Sequence, residues 1–269
     1  MADAAVTNPS SDPMTMPHEW IVPSWPAPAR VRSIMTTRDG GTSAGPWAAA
    51  SGGGMNLGLG SGDDPAVVRA NRARLASMLP SAPTWLRQVH GTRVVDAALA
   101  NADEPIEADA IYSTAEDTVC AIMVADCMPV LFCNRDGTRV AAAHAGWRGL
   151  VAGVLEETIR ESGLVPQDTM AWIGPAIGPS RFEVGDDVRN AFIAAGVADR
   201  NDIETAFIPH AEGKWLADLP SLARMRLAAC GVGDVYASGL CTASDARRFY
   251  SYRRDGVTGR MAALIWLAS

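Results

Sequence analysis

The chain has 269 residues, 48% hydrophobic and 20% charged, with a formal net charge of −7. This is globular composition, ample for one large α/β domain or two small ones with a real core. The negative balance excludes a general nucleic-acid or anionic-membrane binder, because both reward clustered Lys and Arg.

In chain order, Met1 to Ala29 is rich in Ala, Pro, Ser and Thr. It lacks a basic start and an apolar h-region, so no signal peptide is expected, and residues 1–29 read as a disordered tail. Asp39 to Gly62 is Gly-rich and reads either as a flexible loop or as a substrate-facing one. A helix follows, capped by Asp64, with Pro65 in its first turn and Pro80 and Pro83 beyond its end. Thr84 to Val89 and Thr92 to Ala97 read as strands joined at Gly91. Thr118 to Val124 and Val130 to Cys133 read as buried strands on either side of Asp126-Cys127.

Arg139 to Ala143 is a further strand, followed by Gly146 and a helix from about Leu150 to Ser162. Met170 to Ile173 and Val235 to Ser238 read as strands, Asp186 to Ala195 and Ala217 to Ala229 as helices. Phe249 to Arg254 and Arg260 to Leu267, around Asp255-Gly256, read as a β-hairpin. No internal repeat is visible. The fold class is α/β: a single layered domain with a mixed β-sheet over residues 30–269.

The five cysteines are odd in number and irregularly spaced. They read as reduced thiols of a cytoplasmic protein, with Cys120 and Cys133 packed as small hydrophobes. No apolar stretch is long enough to span a bilayer, since Asp126 and Pro129 interrupt the best candidate.

Three short pieces carry the chemistry: Gln88-Val89-His90-Gly91, Ala125-Asp126-Cys127-Met128-Pro129 and His144-Ala145-Gly146-Trp147-Arg148-Gly149. Each of His90, Cys127 and His144 follows an apolar run and precedes a Gly or Pro break. A single histidine or cysteine in such a place is more often structural, so the case rests on the three occurring together. One thiolate and two imidazoles suit zinc, and three protein ligands leave a fourth position open, as in catalytic zinc sites. Asp126 is a candidate proton carrier beside Cys127, or else a solvated strand-end carboxylate. Arg148, near a helix start, is a candidate anion ligand. Arg253 and Arg254, adjacent in the expected strand, would point to opposite faces, one toward a pocket.

Together these pieces resemble the laccase-domain family, also called the multicopper polyphenol oxidase or purine nucleoside phosphorylase family. The resemblance also rests on Glu107-Ala108-Asp109-Ala110, Gly174-Pro175-Ala176-Ile177-Gly178-Pro179, Phe182-Glu183-Val184-Gly185 and Phe249 to Gly256, in the family's order over roughly residues 30–269. It implies zinc ligands at His90, Cys127 and His144, and a fold related to the cytotoxic necrotizing factor-like cysteine hydrolases. Thr36-Thr37-Arg38-Asp39-Gly40-Gly41 and Asn56-Leu57-Gly58 match as well, which implies that Arg38 and Asn56 lie near substrate.

The activity implied is phosphorolysis of adenosine, inosine, guanosine and methylthioadenosine, with adenosine deamination alongside. The partners are then small purine nucleosides and phosphate, and Arg38, Arg148 and Arg253 are the candidates for the anion. Zinc suits the deamination, since it activates water at neutral pH and Asp126 could shuttle the proton. The resemblance also implies copper-dependent phenol oxidation. A chain with four histidines is poor in ligands for several coppers, although one site of this kind would take adventitious copper avidly. Two rivals stand beside these readings. In one, Cys127 is a nucleophile with His144 as base, as in a cysteine hydrolase or an amidase acting on cell-wall precursors. In the other, the metal is structural and the chain a binding module.

Overall fold

The computed structural model describes residues 19–100, 105–196 and 198–269. Residues 1–18, most of the expected tail and including His18, lie outside them. The packed chain reaches back at least to Glu19, earlier than the expected start at 30. Trp20 is buried, and Ile21 exchanges backbone hydrogen bonds of 2.9 and 2.8 Å with Met35.

In chain order the strands are β1 (Val31–Met35), β2 (Asp39–Ser43), β3 (Val94–Asp96), β4 (Ala110–Ser113), β5 (Cys120–Val124), β6 (Met128–Asn134), β7 (Val140–Ala145), β8 (Thr169–Ile173), β9 (Glu183–Gly185), β10 (Phe207–Ala211), β11 (Lys214–Ala217), β12 (Asp234–Ala237) and β13 (Met261–Leu267). The helices are α1 (Pro65–Ala76), α2 (Trp147–Ala152), α3 (Val154–Ser162), α4 (Asp186–Ala195), α5 (Arg200–Thr205), α6 (Leu219–Ala229) and α7 (Tyr252–Asp255).

Six strands form a mixed sheet in the order β12-β8-β6-β7-β4-β3. Its outer pairs, β12 with β8 and β3 with β4, are parallel, and the inner pairs are antiparallel. An antiparallel sheet β1-β13-β5 lies against one face of it. Strand alternation explains the layering, because successive side chains point to opposite faces. In β6, Val130 and Phe132 join the core shared with α2, α3, α4 and α6, while Leu131 and Cys133 join the core between the two sheets. The far face of the smaller sheet, with Ile34, Ala121 and Leu264, packs on Leu75 of α1. Both faces of both sheets are therefore covered, which is why the central strands read as unbroken apolar runs. The α/β class with a mixed sheet is as expected. A small third sheet, β10-β11-β9, flanks α4 and is not picked out by periodicity.

Three local expectations need correction. The helix expected over Leu150 to Ser162 is two helices, because Gly153 takes φ +98° between α2 and α3, a value that suits glycine alone. Thr84 to Val89 makes only isolated bridges, Thr84 with Cys120 and Arg87 with Glu107. The hairpin over 249–267 does not form. β13 is central, paired with β1 on one side and β5 on the other, so residues 249–254 have no edge to join. Instead the Ser251 side chain accepts from Arg254 N at 3.2 Å and starts the single turn α7. Arg253 and Arg254 are thus neighbours on a helical turn, not on opposite faces of a strand. No helix among the described residues is long and apolar enough to cross a membrane.

Candidate metal centre and its cavity

Three neighbouring strands of the large sheet bring the chemistry together. β6 and β7 pair Met128 with Ala145, so Cys127, just before β6, stands beside Gly146, just after β7. His144 lies within β7, and β4 next to it pairs Ala110 with Ala143. That places Asp109, just before β4, beside His144. His90 sits on the loop leading into β3. The Nε or Nδ atoms of His90 and His144 and the Cys127 Sγ all lie within 4.8 Å of one another. Cys127 Sγ is 3.7 Å from His90 Nε2, and the two imidazoles meet edge to face at 4.8 Å between centroids. His144 is buried, Cys127 half-buried and His90 exposed, so the cluster opens to one side.

Asp109 holds both histidines. It is fully buried, and its Oδ1 accepts from His144 Nδ1 at 2.8 Å. That leaves His144 Nε2 for the cluster, the usual arrangement of a ligating histidine backed by a carboxylate. The same carboxylate accepts from the backbone N–H groups of Val89, His90 and Gly91 at 3.2, 2.9 and 2.7 Å. Those bonds fix a turn in which His90 has φ +64°, a left-handed conformation uncommon outside glycine. Gln88 completes the motif. Its side chain donates to Met123 O and accepts from Met123 N, each at 2.8 Å, as a strand partner would.

The electrostatics favour a thiolate. Burial alone would raise the Cys127 pKa, but the charges and hydrogen bonds of His144 and His90 outweigh it and bring it down to about 6. Burial opposes a charged His144 too, yet the Cys127 charge and the Asp109 hydrogen bond raise its pKa to about 9. For Asp109 the His144 ring and the N–H groups of Gly91 and Val89 overcome desolvation and hold the pKa below its ordinary value. Cys120 and Cys133 behave oppositely: burial pushes Cys120 up strongly and Cys133 to about 12. The donor set of one low-pKa thiolate and two imidazoles, one of them oriented by a buried carboxylate, fits a thiophilic divalent metal with a position left open.

The cluster forms one wall of a cavity of about 880 Å3. That is the size of a small-molecule site. Other walls come from the Gly58–Ser61 loop, Arg72 of α1, Trp85, Tyr252 of α7 and Arg260.

The remaining expected site residues lie elsewhere. Asp126, at φ +92°, is not among the residues that line the cavity. It accepts from Thr242 Oγ1 at 2.6 Å, Ser251 Oγ at 3.0 Å and Arg253 N at 2.7 Å, so it clamps α7 to the sheet. Arg38 donates to the carbonyls of Ala48 and Ala246 and lies over the Tyr250 ring. Arg148 is exposed and lies over Trp147. Arg253 donates to Glu183 O and lies against Phe182. Asn56 is buried beneath the cavity. Its Oδ1 accepts from Gly58 N and Arg260 N, at 3.0 and 2.9 Å, and its Nδ2 donates to Ser61 and Asp63. It shapes the wall from behind. Sequence reading missed Asp109, Arg72 and Arg260. Asp109 had a signal, a lone carboxylate opening an apolar strand. Arg72 had none, since its helix presents many polar residues.

Residues 32–268 match the model of the family described as multi-copper polyphenol oxidoreductase laccase. Two relatives named purine nucleoside phosphorylase, from Pseudomonas aeruginosa and Escherichia coli, are each 51% identical, over 249 and 252 residues, covering 92% of this chain and 98% of theirs. The crystal structure of a Neisseria meningitidis protein superposes with a TM-score of 0.86 at 47% identity, covering 93% of this chain and 100% of that one. A Geobacillus stearothermophilus structure gives 0.84 at 29% identity, covering 95% and 98%. The chain therefore belongs to the multi-copper polyphenol oxidoreductase laccase family, among whose members its relatives bear the name purine nucleoside phosphorylase.

Proposed function

We propose that this chain is a zinc-dependent purine nucleoside phosphorylase acting on adenosine, inosine, guanosine and methylthioadenosine, with adenosine deamination at the same site. The observation that carries the reading is the His90, Cys127, His144 cluster opening into a cavity with room for a nucleoside. The names of the relatives support the reaction class. Zinc bound there supplies Lewis acidity at the purine or sugar. The protein's own residues do the rest. Asp109 fixes the His144 tautomer and the His90 turn, and Trp85 and Tyr252 offer flat walls to a purine ring. The two reactions act on different atoms of the nucleoside, purine C6 and ribose C1′, so they require two orientations of it in the one cavity.

Among the described residues His90, Cys127 and His144 are the one group of three or more metal-ligating side chains. Several coppers would need more ligands. Copper in this single site accounts for phenol oxidation as a side activity.

The test is metal analysis of protein purified without added metal, followed by product identification with adenosine, with and without phosphate. The reading predicts about one zinc per chain, adenine and ribose 1-phosphate only when phosphate is present, inosine from deamination, and hypoxanthine from phosphorolysis of that inosine. Full nucleoside activity in metal-free protein would sink it.

The lowered Cys127 pKa keeps one second reading in play, a cysteine hydrolase with Cys127 as nucleophile. It requires a covalent acyl-enzyme, visible by mass spectrometry of protein quenched during turnover of an amide substrate.

A further inference from the structure

Two arginines, Arg72 and Arg260, stand on the wall of this cavity. Arg72 Nε donates to Leu57 O at 2.8 Å, its guanidinium carbon lies 4.2 Å from the Trp85 ring centroid, and its other polar neighbour is Met123 Sδ at 3.5 Å. Arg260 Nη1 donates to Thr258 O and Gly259 O, at 3.0 and 2.9 Å. Neither guanidinium forms an ion pair among the described residues. Arg87, on the same wall, is different: it is bound to Glu107 at 2.7 Å.

Desolvation is felt at both groups. Burial lowers the Arg72 pKa to about 10 and also lowers that of Arg260, against the charges of Cys127 and Asp126. Both remain cations near neutral pH. A half-sequestered charge without a direct ion pair is costly, and an anion that pairs with it offsets that cost. Both guanidiniums line one cavity, and their N–H groups not already given to Leu57, Met123, Thr258 and Gly259 are donors of the kind with which arginine recognises phosphate. Trp85 holds the Arg72 fork in place, so less entropy is lost when an anion binds.

We propose that Arg72 and Arg260 form the anion subsite of this cavity and hold inorganic phosphate for attack on the nucleoside. They take the role that the sequence assigns to Arg38, Arg148 and Arg253. The identity of the anion rests on the phosphorolysis reading. In that step a phosphate oxygen bonds to ribose C1′ as the bond from C1′ to the purine nitrogen breaks. The bonding pair leaves with the purine, which takes up the proton that phosphate gives up. No oxidant or reductant enters.

The test titrates the zinc-loaded full chain with inorganic phosphate by calorimetry, alone and with purine base present, and separately with adenosine 5′-monophosphate. The same is done for Arg72→Gln, Arg260→Gln, the two Lys variants and Arg148→Gln. Each Gln variant is expected to weaken phosphate binding roughly ten- to hundredfold. KM for phosphate should rise in parallel, with KM for the nucleoside moving less than about threefold. The Lys variants, which keep the charge and lose the fork, should fall between, and Arg148→Gln should match the wild type. Should the Gln variants fail to fold, the Lys variants carry the comparison.

Unchanged phosphate affinity in the folded variants of both arginines would overturn the subsite. So would a wild type that does not bind phosphate with or without purine base present. Binding of the nucleotide alone, lost in the variants, would overturn the co-substrate assignment. The two readings fail separately. Arginine-dependent phosphate binding without phosphorolysis removes the function and keeps the subsite. Phosphorolysis with phosphate KM unchanged in the variants does the reverse.

Discussion

One oxygen of Asp109 accepts from both the His144 ring, at 2.8 Å, and the His90 backbone N–H, at 2.9 Å. The two imidazoles of the cluster thus share a single buried support, although they lie 54 residues apart in sequence (144 − 90). Every partner of that carboxylate is a donor, which decides what a substitution does. Asp109→Asn must set an NH2 group against N–H donors whichever way the amide turns. The expected cost is about 1–3 kcal/mol of stability and roughly ten- to hundredfold in metal affinity. Chelator competition and thermal unfolding measure the two, and unchanged metal affinity would refute the shared support. Because the folded pKa of Asp109 lies below its ordinary 3.8, its contribution is complete above that pH and is lost as acid protonates the folded carboxylate.

Gly146 gives a steric test of the cluster. A Cβ there would come within 2.9 Å of His90 Cδ2 and 3.0 Å of Cys127 Sγ. Its φ of −65° and ψ of 160° suit any residue, so Gly146→Ala adds contact without backbone strain. The methyl must push the ligands apart. Metal content and kcat are expected to fall together by at least about tenfold, since small displacements at a reacting centre are expensive. Zinc content equal to the wild type would show that the cluster has room to spare.

The ligands were legible because the family motifs and the elementary pattern agree: each ends an apolar run at a Gly or Pro. Most strands of the large sheet were legible for the same reason, as buried segments such as Val130 to Cys133. The arginines were not. A cation's place depends on which element faces which, and Arg38 and Arg253 look available in sequence yet are held by carbonyls from distant loops. Arg72 becomes a cavity residue only because α1 packs on the far face of the small sheet. The failed hairpin has a related origin. Turn chemistry at Asp255-Gly256 is local, whereas the partners of β13 are set by strands far away in sequence.

Cys127 should stand apart from its fellow thiols once metal is removed. In chelator-treated protein its alkylation by iodoacetamide should rise with pH through a midpoint of about 6, because only the thiolate attacks. Burial raises the pKa of Cys120 and Cys133 and denies access to them, so neither should react in the folded protein. Added zinc should protect Cys127 by occupying the sulfur. Peptide mapping by mass spectrometry assigns the label. A midpoint near the ordinary 9.0 would mean that the imidazoles do not support the thiolate.

Asp126 tests whether adjacency to a ligand implies chemistry. Its carboxylate is fully engaged by Thr242, Ser251 and the Arg253 N–H, outside the cavity. In Asp126→Asn one oxygen can keep Ser251 and Arg253 N, while the amide NH2 faces Thr242. That hydroxyl can rotate from donor to acceptor, since it serves as either. The clamp on α7 then survives, and kcat should stay within about threefold of wild type at normal zinc content. A carboxylate that carried the proton would instead lose roughly 10²–10⁴-fold. Asp126→Ala removes the acceptor altogether and should cost about 1–3 kcal/mol in unfolding free energy. The Asn variant therefore separates the two roles: a hundredfold loss of kcat with zinc retained and the fold intact would return Asp126 to the reaction, and near-normal turnover leaves it as the strut of α7.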